Sequence, residues 1–146
     1  MKGQVSTELL VIVGLILLIF IPVLVMVYLK ANDANQQIAS YQAELAVFRL
    51  AYLANSVGSL GTSSSTYADV YIPKNVESFN LASEGGGGSI IMTVKTPEGV
   101  SEIAEIIHYP VKAGSLGGPE NAGGWVKLKV SANYTSGKPE IQIEPA

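Results

Sequence analysis

From Leu9 to Leu29 the chain carries no charged side chain, a run of 21 residues dominated by Leu, Ile and Val. Crossing the roughly 30 Å hydrocarbon core of a bilayer takes about 20 apolar residues in a helix, so this run is long enough to span. A cleaved secretory signal has a shorter apolar stretch, roughly 7–15 residues, ahead of small residues at its cleavage site. Here the run passes into Val27-Tyr28-Leu29-Lys30 with no such site, and it reads as a retained helix. Lys2 and Lys30 flank it on opposite sides, so positive charge orients it only weakly. No second run of this kind follows, which predicts that the remaining chain lies on one side of the membrane.

Three residues in or beside the run stand out. Pro22 removes one helical hydrogen bond and predicts a kink or loosening around residues 18–22. It reads equally as a tolerated membrane-helix proline or as a weak point where the helix bends on assembly. Gly14 reads as a close-packing position. Glu8 lies just before the run, where an unpaired carboxylate is costly to bury. On its own it reads as an acid at headgroup level, favoured by the positive end of the helix dipole.

The surrounding residues add to that reading. The stretch Gly3-Gln4-Val5-Ser6-Thr7-Glu8-Leu9-Leu10-Val11-Ile12 resembles the class III signal of archaeal type IV pilin-like proteins: Gln-x-Ser-x-Glu directly after a Gly, then three apolar residues and a Leu. Gln4, Ser6 and Glu8 match, and Ile12 stands where the family usually has Leu. The resemblance implies a leader of residues 1–3, cut between Gly3 and Gln4 by a membrane prepilin peptidase. It further implies that Glu8 pairs with the free amino group of a neighbouring subunit's first residue. A cation and an anion that are each costly in an apolar core offset one another when paired.

Beyond Lys30, Ile38, Tyr41, Leu45, Phe48 and Tyr52 recur at intervals of three and four, tracing one helical face. Gly58 and Gly61 mark a stop, so one helix is expected over 4–58, with its membrane-spanning or filament-core half at 9–29. A helix on the order of 80 Å long exceeds what one small domain can bury. The large apolar stripe is expected to lie against the C-terminal domain. The first half has no partner in the chain except lipid or other copies of itself, which argues for assembly. A coiled coil is an alternative use of the stripe, but two heptads are too few to claim one.

Residues 59–66 read as a small polar linker, after which the period switches to two. Tyr67–Ile72, Ser89–Val94, Glu102–Tyr109, Trp125–Val130 and Glu140–Ile143 read as strands of a head over 67–146. In the clearest, Val126, Leu128 and Val130 should face inward and Lys127 and Lys129 outward. The fold class expected is α+β: a long hydrophobic helix followed by a small antiparallel β-rich domain, a layout that the resemblance to type IV pilins also implies.

The head offers little chemistry. The chain has no cysteine and a single histidine, His108, which excludes thiolate or histidine-pair metal sites. His108 reads as a surface or partly buried polar residue at a strand end. Glu102 and Glu105, three apart on a strand, point to opposite faces and make a poor catalytic pair. The Gly85–Gly88 run lacks the Lys-Ser/Thr of a phosphate loop and reads as a hairpin turn. Trp125 reads as core or rim packing. A net charge of −3 with nine scattered basic residues argues against nucleic acid as a partner. Asn133-Tyr134-Thr135 is an acceptor sequon for N-glycosylation near an exposed turn.

These readings point away from an enzyme and from any cofactor. The resemblance implies a filament subunit that inserts in the cell membrane as a precursor. It then polymerises with itself through the N-terminal helix into a cell-surface filament for adhesion, helped by a separate assembly ATPase and a membrane platform protein. A membrane-anchored extracellular binding module, or a minor pilin that does not polymerise, is the alternative.

Overall fold

A computed structural model describes residues 2–117, 123–135 and 137–146; of residues 2–5 and 117 it describes the backbone alone. The fold is α+β, as expected: one long helix, α1 (Lys2–Leu60), precedes seven antiparallel strands. These are β1 (Ser65–Ile72), β2 (Val76–Glu84), β3 (Gly87–Thr96), β4 (Gly99–Ile107), β5 (Gly114–Gly117), β6 (Gly124–Thr135) and β7 (Lys138–Pro145). They form two sheets, ordered β1-β6-β7 and β4-β3-β2-β5. The chain divides into two compact units, residues 1–36 and residues 37–146.

In the first unit α1 is helical throughout and continues through Pro22. The weak point expected at residues 18–22 is therefore helical here. Every residue from Ser6 to Asn35 is exposed, because nothing else in this unit covers them. A Cβ added at Gly14 would meet no atom within 4 Å, so any close packing at this glycine involves another molecule.

In the second unit the last turns of α1 and both sheets share one apolar core. Alternation drives the strands: Ala68, Val70 and Ile72 of β1, Ile90, Met92 and Val94 of β3, and Leu128, Val130 and Ala132 of β6 are buried. Val126 packs at the edge of that core and Lys127 is exposed, in line with the expected facing of β6. Backbone hydrogen bonds from Ile141 to Pro110 (2.7 Å) and from Lys112 to Ile141 (2.9 Å) join the segment after β4 to β7 of the other sheet.

Two strands, β2 and β5, go beyond the five expected, and β2 shows why. Its buried residues are Val76, Phe79 and Leu81, so the first interval is three. A register shift between Val76 and Ser78 inserts the extra residue and hides the period of two. β5 is only four residues long, too short to show a period.

The expected linker at 59–66 is shorter and better held. α1 runs to Leu60, Gly61 turns the chain at φ 87°, and β1 already starts at Ser65. The Ser64 Oγ lies 2.9 Å from the Val57 carbonyl oxygen and 2.6 Å from that of Gly61, satisfying helix-end acceptors. Gly61 is thus the stop. Gly58 is inside the helix, where an added Cβ would sit 2.3 Å from the Tyr109 ring, and it is glycine because that ring packs on the backbone. At Gly85 and Gly86, both at positive φ, β2 turns directly into β3: the hairpin expected at the glycine run is present, with a two-residue connection in place of a flexible loop.

Candidate functional site

The face of α1 that meets the sheets is not the one expected. Ala43, Ala46, Val47, Leu50, Ala51, Ala54 and Val57 are buried, while Ile38, Tyr41, Leu45, Phe48 and Tyr52 are 53–69% exposed. At 3.6 residues per turn the two sets point in directions roughly 180° apart. Small side chains let the helix approach the sheets closely, and they also recur at intervals of three and four. Size stands in for burial when only periodicity is visible, which is why the large residues read as the inner face. The segment 37–60 therefore has two apolar faces, one covered by the sheets and one bare.

The bare face has an ordered form. Ile38, Tyr41, Leu45, Phe48 and Tyr52 keep the alternating three-and-four spacing of a helix-packing seam over two heptads. Single exposed apolar residues are ordinary on protein surfaces, whereas a contiguous ridge of large ones is not. Grooves run along both flanks. On one, Leu45, Arg49, Tyr71 and Trp125 help to line a space of about 340 Å³. Trp125 is 72% exposed, and its ring meets that of Tyr71 edge to face at 5.6 Å. Trp125 thus forms a rim of this face and takes no part in the core. On the other flank Tyr41, Glu44, Leu45, Phe48 and Glu105 line about 300 Å³.

The edge of the sheet beside this face is pinned by Asn55. Its Oδ1 accepts from the His108 backbone N–H at 2.8 Å, and its Nδ2 donates to the Ile106 carbonyl at 3.4 Å. His108 itself is exposed. Glu105 lies on the face of β4 shared with Ile103 and Ile107, whereas Glu102 lies on the opposite face, so the two carboxylates do not converge. Among the described residues no group of three or more His, Asp or Glu side chains is gathered to hold a metal ion.

The residues singled out near the N-terminus lie far along the sequence from this face and within the first unit. Ser6, Glu8 and Ile12 are exposed on α1. Gly3 and Gln4 are in helical backbone, with their side chains outside the described residues. Asn133 is on β6, close to its end at Thr135; it is exposed, and its Nδ2 donates to Gln142 Oε1 at 2.9 Å. The sequon's Thr135 hydroxyl donates to Glu140 Oε2 at 2.8 Å. The turn expected next to the sequon includes residue 136, which lies outside the described residues.

α1 is long and apolar enough to cross a membrane, with a mean hydropathy of 3.4 in its most apolar window and none of that window buried. Compared with known proteins, the chain matches no family model, no curated protein and no solved structure.

Proposed function

We propose that this chain is a structural subunit of an archaeal type IV pilus-like filament. In this reading the apolar helices bundle into the filament core and the β domains coat its outside, where the filament serves adhesion. The observation that carries the reading is the amount of apolar helix surface left uncovered: the whole run from Leu9 to Leu29, and then the ridge from Ile38 to Tyr52. Lipid can cover the first stretch. The second lies on a unit that folds around its own core, so its ridge needs a protein neighbour.

The signal-like residues Gln4, Ser6 and Glu8 supply the route. A prepilin peptidase would cut after Gly3, a separate ATPase and platform protein would drive assembly, and Glu8 would pair with the new amino terminus at Gln4 of a neighbour. Asn133 is a surface position where a glycan could be carried once its amide leaves Gln142.

The test has two parts. Mass determination of the N-terminus from native cells should give a start at Gln4. Sheared surface fractions should contain fibres by electron microscopy, and Glu8→Ala should lower their yield at least tenfold while the protein still reaches the membrane. Native-source protein that begins at Met1 and stays monomeric in membranes would instead indicate an anchored binding module.

A further inference from the structure

The two grooves flanking the bare ridge differ in charge, and that difference specifies how copies meet. Arg49 is the one charged residue lining the groove beside Trp125 and Tyr71 among the described residues. Both charged residues lining the opposite groove, Glu44 and Glu105, are carboxylates. Arg49 and Glu44 are exposed and Glu105 is half-buried, and among the described residues none of the three forms an ion pair. Leu45 borders both grooves, so the ridge separates a cationic, aromatic flank from an anionic one.

We infer that the two flanks are complementary halves of a contact between parallel copies of this chain. The Arg49–Trp125 flank of one copy receives the Glu44–Glu105 flank of the next, with the ridges of both helices packed at the seam. This inference rests on the filament reading and deepens it by naming the surfaces that repeat. The guanidinium is planar and presents paired donors, which suits a carboxylate in a partly dried contact. Placing like flanks together would instead bring Arg49 against Arg49, or four carboxylates into one groove, both repulsive. A two-fold dimer of antiparallel helices, which sets like flanks together, is therefore disfavoured, whereas parallel helices set unlike flanks together. A parallel contact that closes one such flank pair leaves each copy one open flank and propagates, while one that closes both pairs stops at two.

Charge exchange tests this directly, using the full chain in phospholipid vesicles with assembly read by energy transfer between donor-labelled and acceptor-labelled chains. Arg49→Glu alone, and Glu44→Lys with Glu105→Lys, should each reduce the oligomer fraction at least tenfold. The triple variant that exchanges all three charges should recover to within about threefold of wild type, since complementarity returns with the signs swapped. Arg49→Lys keeps the charge and adds a reactive amine. In mixed isotope-labelled samples treated with a zero-length amine-to-carboxylate cross-linker, that amine should yield inter-chain peptides joining position 49 to Glu44 or Glu105. Oligomers unaffected by Arg49→Glu, a triple variant no better than its parents, or an amine at position 49 joined only to other carboxylates would each overturn the inference. Wild-type fibres with those results would leave the filament reading standing; absence of fibres and of any oligomer would sink both.

Discussion

One helix, α1, meets two different conditions. Residues 6–35 bury nothing, and their apolar surface runs all the way round the helix through the 9–29 stretch. Residues 43–57 bury seven side chains against two sheets and leave a ridge bare on the far side. A helix apolar on every side can be solvated by lipid or by several neighbours in any direction. A helix with one covered face and one bare ridge can only accept a neighbour from one direction. The first segment is thus long and apolar enough to cross a membrane, and the second keeps one apolar face uncovered.

Exchanging the properties of the two faces is the sharpest way to break that comparison. Leu50→Ala removes a fully buried side chain and should destabilise the β-rich unit by about 2–5 kcal/mol, measured by thermal or denaturant unfolding of the full chain in detergent. Leu45→Ala, on the bare ridge, should change that stability by no more than about 0.5 kcal/mol. It should nonetheless lower filament yield in sheared fractions. Equal unfolding penalties at the two positions would erase the distinction between the faces.

Gly58→Ala should cost about 1–3 kcal/mol in the same measurement, because the new methyl forces the Tyr109 ring to move. Gly58→Ala combined with Tyr109→Ala should be less damaging than the sum of the two changes, since the clash disappears with the ring. Asn55→Ala should cost about 1 kcal/mol through the loss of two bonds to the end of β4. Hydrogen exchange at the His108 amide should rise with it; an unchanged exchange rate would mean that Asn55 does not hold this edge. The smallest effect is expected at Pro22→Ala, on an exposed helical position of the first unit. It should add one helical amide to the protected set by hydrogen exchange in vesicles and leave insertion unchanged.

Much of this protein is legible without its structure. The 21-residue uncharged run predicts a spanning helix by length alone, because only a helix satisfies its own backbone within a segment in hydrocarbon. Five of the seven strands can be read from alternating apolar residues, and the Gly85-Gly86 hairpin from the glycine run. β2 escapes because its bulge between Val76 and Ser78 breaks the alternation by which a strand is recognised. The gathering of Arg49 with Trp125 in one groove and of Glu44 with Glu105 in the other escapes as well. These residues come from separate elements, and only folding brings α1, β1, β4 and β6 residues to the flanks of one ridge.

The choice between the two faces of α1 belongs to the tertiary structure. Both carry apolar residues at helical spacing, so local sequence determined a helix with two candidate faces without saying which side turns inward. The sheets selected Ala43, Ala46, Val47, Leu50 and Ala54, because small side chains admit close approach to a strand-built core. Ile38, Leu45, Phe48 and Tyr52 were left outside. The chain's own sequence set how apolar and how long the helix is; the packing of two sheets against one of its faces decided what remained for a neighbour.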